Sequence, residues 1–218
     1  ENNRVFAFDA KNECVAEVMD GETVIIRTHD CFDNQLSEEG SCIGALNWDR
    51  INPATGPVYV QNAKAGDVLK VEILEIALDK QGVMCALPEN GVLGSLVKEE
   101  SVKRIQVKNG KVHFNDKLVF DVTPMIGVIG VAPKDGSINC GTPGCHGGNM
   151  DNKRIKVGAS LYFPVFHEGA IFSLGDVHAA MGDGEVMVSG VEISAEVKVR
   201  LSVIKGISIE TPMLENEE

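Results

Sequence analysis

The chain has 218 residues, of which 44% are hydrophobic and 24% are charged, a composition typical of a globular protein with a sizeable core. Its formal net charge of −12 argues against the basic face needed to bind nucleic acid or an anionic membrane surface. The sequence shows no apolar run of the roughly 18 residues a membrane span needs, and no signal peptide. We therefore expect a cytoplasmic protein whose six cysteines are reduced.

Alternation of apolar and polar residues recurs along the chain and predicts half-buried strands. In chain order the alternating runs are 23–28, 68–78, 104–114, 160–166 and 193–203. Within the second run the apolar phase changes between Ile73 and Leu74, which predicts a β-bulge or a bend at a barrel corner. Asn109-Gly110 lies between two alternating stretches and predicts a tight hairpin turn.

Helical patterns are scarce, and the sequence predicts one short helix over residues 95–103. The elements together predict a mainly-β fold of jelly-roll or β-sandwich type, with a barrel-like part and few short helices. We expect residues 1–218 to form one intertwined unit. The alternative is two β subdomains, 1–123 and 124–218.

The first polar segment with the residue types of an active site is 28–36, at the end of a predicted strand. His29 and Asp30 are neighbours, so in extended backbone their side chains point to opposite faces. Asp30 shares its face with Val24 and Ile26, which favours Asp30 over His29 as the residue near the interior. Cys31 is interpreted as a small buried hydrophobic residue.

The second segment, residues 139–151, is rich in glycine and contains Cys140, Cys145 and His146. The C-x4-C-H spacing does not match a zinc ribbon, which has shorter gaps and a second pair of ligands. Loops of this composition lose much backbone entropy when ordered and often carry function. A functional loop and a solvent loop with incidental cysteines both remain open for this segment.

The third segment, residues 173–186, places three acids and a histidine among glycines and alanines. Asp176 and His178 are two residues apart, so on a strand both side chains point the same way, as a metal chelate at a strand end requires. Glu185 follows a glycine-rich bend, in which Asp183 is interpreted as a turn former. A solvated turn is the alternative for the segment by itself.

Five stretches carry a resemblance to a known family: 27–36 (RTHDCFDNQL), 52–73, 124–133, 146–151 (HGGNMD) and 169–186. In order and spread over most of the chain, they resemble the acetamidase/formamidase family of amide hydrolases. The resemblance implies a mainly-β oligomer, a homodimer or larger, that hydrolyses a small amide such as formamide or acetamide to a carboxylic acid and ammonia. Family members are generally longer, so we expect a C-terminal part of the family sequence to be missing here.

The resemblance also implies a set of site residues. The polar positions that match the family's motifs are Asp30, Asn52, His146, Asn149, Asp151, Asp176, His178 and Glu185. We hypothesise that a divalent metal, with zinc favoured over calcium because imidazole suits zinc, is held by Asp30, His146, Asp176 and His178. Catalysis is assigned to Glu185 as general base, with His146 and Asp30. Substrate binding is assigned to Asn52 and Asn149, with the backbone of Gly147 and Gly148 as oxyanion donors.

Two other readings of the same residues stay open. In one, an amidase uses Cys140 or Cys145 as a nucleophile activated by His146 or Glu185. In the other, the protein is a non-catalytic β-sandwich module whose acids and histidines hold a structural cation.

Overall fold

Short and long strands make up most of the regular structure between residues 3 and 217, the part of the chain that a computed structural model describes. The strands are β1 (Arg4–Val5), β2 (Ala7–Asp9), β3 (Ala16–Val18), β4 (Thr23–Thr28), β5 (Ala54–Val60), β6 (Val68–Ala86), β7 (Ser101–Lys108), β8 (Lys111–His113), β9 (Val119–Asp121), β10 (Met125–Gly130), β11 (Ser137–Asn139), β12 (Gly147–Asn149), β13 (Ser160–Pro164), β14 (Phe172–His178), β15 (Glu192–Ile204) and β16 (Met213–Glu215). The mainly-β prediction is confirmed.

Helical structure in the described residues consists of short 3-10 turns at Ile43–Ala45, Trp48–Arg50 and Gly94–Leu96. The predicted helix over residues 95–103 is wrong beyond its first turn. The backbone is already extended at Val97, and β7 begins at Ser101 and pairs with the end of β6. This long-range pairing supplies the backbone hydrogen bonds and overrides the weak local preference for a helix.

Fourteen strands form one hydrogen-bonded network whose main path is β1-β5-β14-β15-β6-β7-β8-β9. Branches join this path where β10 pairs with β14 and β12, β13 with β6 and β16, β3 with β5, and β4 with β15. A separate two-stranded sheet pairs β2 with β11. The prediction of one intertwined unit stays a prediction. Several pairs join a strand before residue 123 to a strand after it, namely β5–β14, β4–β15, β6–β13 and β6–β15.

The longest pairing joins β6 and β15 and contains the predicted irregularity. Val199 pairs with Ile73 and Lys198 with Glu75, so Leu74 is the extra residue of a β-bulge. The prediction from the change in apolar phase is confirmed. Along β15, buried and more exposed residues alternate from Ile193 to Leu201, as the sequence indicated.

The turn between β7 and β8 is also as predicted. Lys108 pairs with Lys111, and both residues between them have positive φ, 52° for Asn109 and 70° for Gly110. This is the conformation of a type I′ turn, whose twist suits a two-residue hairpin.

Most of the buried apolar side chains belong to one large cluster that includes Leu69, Phe163, Phe172, Val197 and Leu201. A second group, here termed the Cys31 cluster, consists of Cys31, Phe32, Leu36, Ile43, Leu46, Val83 and Cys85. The site described below lies on strands of the large cluster and borders the Cys31 cluster. Within residues 3–217, no helix is both long enough and apolar enough to cross a membrane.

Candidate functional site

Asp176 and His178, the acid and histidine at the end of β14, are both buried, with 2% and 0% of their surface exposed. Asp176 has a φ of 53°, and its strand neighbours Gly175 and Val177 pair with Val128 and Ile126 of β10. Asp176 Oδ1 lies 3.3 Å from His178 Nε2. The spacing of two residues therefore does bring these side chains together, as the sequence predicted.

His178 is surrounded by carboxylates. Besides Asp176, its Nε2 lies 3.1 Å from Glu192 Oε2 and 3.7 Å from Glu185 Oε1. Burial disfavours the charged imidazolium, but the negative charges of Glu192 and Asp176 outweigh burial and raise the pKa of His178 well above its usual value. In turn, burial raises the pKa of Glu192.

Asp151 joins the acids around His178 from the segment after β12, which pairs with the edge of β10 opposite β14. Its Oδ1 is buried without a hydrogen-bond partner, and burial together with Asp176 and Glu185 raises its pKa to about 7. A methyl group on Gly127 would lie 2.6 Å from both Asp151 Oδ1 and Asp176 Oδ2. Only glycine at this position leaves room for the two carboxylates to converge.

Glu185 reaches the group from the loop between β14 and β15. Its Oε1 accepts a hydrogen bond of 2.7 Å from Gly190 N–H, and 22% of its side chain is exposed. A methyl group on Gly190 would lie 2.6 Å from His178 Nδ1, so glycine lets the loop approach the imidazole closely. Asp183 of the same loop is 92% exposed and pairs with Lys153 at 2.7 Å, away from the carboxylates around His178.

Cys31 reaches Asp176 and Glu192 from the turn that follows β4. Its Sγ and one oxygen of each of these acids lie within 4.8 Å of one another, as do ligand atoms of Asp151, His178 and Glu185. Burial, followed by the charge of Glu192, raises the pKa of the Cys31 thiol well above its usual value. The site thus contains two adjoining groups of three residues whose atoms are metal ligands in other proteins.

The model of the acetamidase/formamidase family matches residues 8–139 and 137–218. The chain belongs to the acetamidase/formamidase family. It is similar to the solved structure of a predicted acetamidase/formamidase from Thermoanaerobacter tengcongensis, with a TM-score of 0.97 and 50% identity over 100% of this chain and 72% of that one.

Other members of the family are also similar. An acetamidase structure from Bacillus halodurans has a TM-score of 0.96 and 44% identity over 99% of this chain and 73% of that one. A formamidase of Methylophilus methylotrophus is 22% identical over 250 residues, which cover 88% of this chain and 61% of the relative. The chain thus spans about three fifths of the curated relatives it matches, 62% in the case of a Schizosaccharomyces pombe relative.

Asp30, hypothesised from the sequence as a metal ligand and catalytic residue, is buried and lies close enough to Asp176 to be affected by its charge. Its Oδ1 accepts hydrogen bonds from the backbone N–H groups of Phe32 at 3.0 Å and Asn34 at 2.8 Å. Burial raises its pKa to about 6 despite these bonds. In this structure Asp30 therefore shapes the turn that presents Cys31.

His146 is the predicted ligand that the structure places apart from the carboxylates around His178. Its ring packs edge-on against Phe8, with ring centroids 5.1 Å apart, and lies against Gly144 and Gly148. Both ring nitrogens are buried without a hydrogen-bond partner, and burial lowers the pKa of His146. Its roles as ligand and catalyst stay predictions.

Among the predicted substrate-binding residues, Asn149 contacts the group of acids around His178, whereas the hydrogen bonds of Asn52 and Gly147 go to other parts of the chain. Asn149 hydrogen-bonds to Asp151, and its Oδ1 is buried without a partner. Gly147 and Gly148 are strand residues of β12, and Gly147 N–H already donates to Gly144 O at 3.0 Å. Asn52 donates its backbone N–H to Cys31 O at 2.7 Å and so braces the Cys31 turn.

The sequence hypothesis did not include Glu192 or Cys31. Glu192 begins β15, where alternation assigns the even-numbered residues to the polar face, yet its side chain is buried because it turns toward His178. The Cys31 turn is held by Asp33, which pairs with Arg4 and His29, each at 2.8 Å, and with Arg50. The neighbouring acids Asp30 and Asp33 were the signals in the sequence that this turn is more than a packing element.

Proposed function

We propose that the protein hydrolyses a small aliphatic amide, of the formamide or acetamide type, to a carboxylate and ammonia, using water activated by a divalent metal. The observation that carries the proposal is the convergence of Asp151, Asp176, Glu185 and Glu192 on buried His178 in a chain of the acetamidase/formamidase family. When ionised, four acids around one imidazole carry more negative charge than the imidazolium offsets, and a bound cation would compensate this charge.

The residues present fit a metal ion. A methyl group on Gly127 would fill the space between Asp151 and Asp176, and Asp151 Oδ1 has no hydrogen-bond partner. Asp151, Asp176 and His178 would hold the ion, and this mixture of oxygen and imidazole ligands suits zinc better than calcium. When bound, the metal polarises the amide carbonyl and lowers the pKa of water.

Glu185 is the general base of the proposed reaction. Glu185 is partly exposed, and Gly190 N–H holds its Oε1 at 2.7 Å, which leaves Oε2 for a water molecule. Glu185 takes a proton as water attacks the amide carbon, and it returns a proton to nitrogen as the C–N bond breaks. Asn149 Oδ1, buried and unpaired, would accept a hydrogen bond from the amide NH₂ group.

Ammonia release from formamide and acetamide tests this proposal. We expect activity that a chelator removes and zinc restores, and that alkylation of the exposed Cys145 leaves in place. Cys140 is unsuited to be a nucleophile, because burial raises the pKa of its thiol to about 12. Activity that survives the chelator and is lost on alkylation would replace the metal mechanism with the cysteine mechanism. A metal-loaded protein that releases no ammonia from any small amide would favour a cation-binding module.

We further propose that the protein works in the cytoplasm as a homodimer or larger homo-oligomer. All six cysteines are free, two of them exposed. Val92, Leu96 and Val186 are apolar and 81%, 73% and 51% exposed, and Val92 N–H bonds to Val186 O, so part of this apolar surface is continuous. Light scattering on the purified protein tests the assembly, and fractionation of the source cells tests the location; a monomer would contradict the first.

A further inference from the structure

The group Cys31, Asp176 and Glu192 lies beside the residues assigned above to a metal. Its three side chains are almost fully buried, with 7%, 2% and 1% of the residue surface exposed. One ligand atom of each lies within 4.8 Å of the other two. Two buried carboxylates repel each other when both are ionised, and a cation bound by them and by the thiolate would offset this repulsion.

A second observation concerns Glu192. Its Oε2 is buried and accepts no hydrogen bond of acceptable geometry, although it lies 3.1 Å from His178 Nε2. The other oxygen, Oε1, accepts the N–H of Gly190 at 2.6 Å, a bifurcated bond that it shares with Glu185 Oε1 and that fixes the direction of the carboxylate. The donors beside Glu192 are His178 Nε2 and the Cys31 thiol, and a cation bound by Cys31 and Glu192 would satisfy this oxygen once the thiol proton has left.

The balance of charge around His178 also indicates a missing cation. His178 is the one basic side chain in contact with Asp176, Glu185 and Glu192 among the described residues. When His178 binds the first ion its imidazole is neutral, so Glu192 loses its imidazolium partner and faces Cys31 without a cation of its own. Uncompensated buried charge is strongly destabilising.

We propose that Cys31, Asp176 and Glu192 form a second divalent-cation position, so that the protein holds two metal ions with Asp176 shared between them. The inference rests on the proposed function, which places the first ion on Asp151, Asp176 and His178. On binding, the Cys31 thiol loses its proton to solvent as the bond from Sγ to the metal forms. A thiolate ligand makes this position selective for zinc and similar ions over calcium and magnesium.

Cobalt substitution of the wild-type protein tests the proposal without any change of sequence. After the exposed Cys42 and Cys145 are alkylated, we expect two Co²⁺ ions per chain and a near-ultraviolet charge-transfer absorption from thiolate to cobalt. One Co²⁺ per chain, or two without the thiolate absorption, would overturn it.

Variants then locate the thiolate. Cys31→Ala should reduce the stoichiometry from two ions to one and abolish the thiolate absorption. Cys85→Ala is the matched control, because Cys85 is a buried cysteine of the same Cys31 cluster, 6% exposed, and should keep both ions. Loss of the absorption in Cys85→Ala but not in Cys31→Ala would contradict the assignment. Should Cys31→Ala fail to fold, Glu192→Gln gives the same expected drop to one ion.

Ammonia release from acetamide, measured on the same samples, separates this inference from the proposed function. Turnover by a protein that binds one ion without thiolate absorption would leave the proposed function standing and remove the second position. Two bound ions with the thiolate absorption, but no turnover, would support the second position and contradict the amidase proposal.

Discussion

The surroundings of each acid decide its chemistry in this site. Burial and neighbouring acids raise the pKa of Asp151 to about 7, whereas Lys153 lowers the pKa of Asp183, which is exposed. Both are aspartates close to the same loop, yet one has the properties of a ligand or proton carrier and the other those of a surface ion pair. Residue type and spacing therefore do not by themselves identify the functional acids.

Glu185→Gln is the substitution that tests the general base. Glutamine keeps the size of the side chain and its bond from Gly190 N–H but cannot take a proton, so we expect kcat for amide hydrolysis to fall about 10²- to 10⁴-fold. Ammonia release gives the measurement. Asp183→Asn, two residues away and 92% exposed, is the control and should keep wild-type kcat. Equal loss in both variants would point to a disturbed loop instead of a lost base.

Asp151 should make the metal-free protein less stable as the pH rises. Its pKa is about 7 in the folded protein and about 3.8 as the ordinary value, so the folded state binds more protons between these limits. The free energy of unfolding therefore falls as pH rises from about 4 to 7. At pH 8 in chelator, we expect Asp151→Asn to be about 1–2 kcal/mol more stable than wild type, after allowance for solvent screening.

Urea unfolding at pH 5 and pH 8 measures this difference. The gain of Asp151→Asn should be small at pH 5, and Asp183→Asn should show no gain at either pH, because Lys153 lowers the pKa of Asp183. A gain of Asp151→Asn that is the same at both pH values would show that ionisation of Asp151 is not its cause.

At the scale of the strands, the sequence predicted those structural features that depend on residues close together in the chain. The phase change at Leu74, the Asn109-Gly110 turn and the faces of β15 all follow from side-chain patterns within one or two strands. The helix prediction over 95–103 failed because the partner of β7 is β6, whose pairing no local pattern records. In the site, the spacing of two residues on one strand was enough to predict that the side chains of Asp176 and His178 lie together.

The rest of the site could not be derived from local patterns. Glu192 and Cys31 reach Asp176 because β15 pairs with both β14 and β4, which brings residues 31 and 192 to the same strand ends. His146 is the first residue of the HGGNMD motif, yet β12 directs Asn149 and Asp151 toward β10 while the His146 ring packs on Phe8. Motif membership therefore did not distinguish a residue of the site from a residue that supports its loop.

Gly127→Ala tests the strand that separates Asp151 from Asp176. The added methyl group would lie 2.6 Å from an oxygen of each and 2.9 Å from Asp176 O, closer than a side chain can tolerate without movement of β14. We expect a loss of stability of about 1–3 kcal/mol and weaker zinc binding, measured by urea unfolding and calorimetric titration. Gly44→Ala, where the nearest atom is 4.0 Å away, is the control and should change neither. Unchanged zinc binding in Gly127→Ala would contradict the metal position.

For the molecule as a whole, the net charge of −12 is the dominant electrostatic property. Self-repulsion of a charged surface destabilises the folded state and is screened by salt, since the Debye length falls to about 10 Å at 0.1 M. We expect the Tm of the metal-free protein to rise by about 2–4 °C between 10 mM and 150 mM NaCl. Scanning calorimetry measures the shift, and KCl should give the same value. A fall in Tm would mean that the ion pairs, such as Lys205–Asp67, outweigh the repulsion.

The pairing of β4 with β15 joins Thr28 to Ala195, and so connects two ends of the chain that are far apart in sequence. Contacts of this kind give a high contact order, and proteins rich in them fold slowly because a long loop must close before the contacts form. Cys31 and Glu192 each lie three residues from this pair, so we expect them to meet at a late stage of folding. A metal ion is therefore expected to bind a chain that is already folded, and to slow its unfolding without speeding its folding.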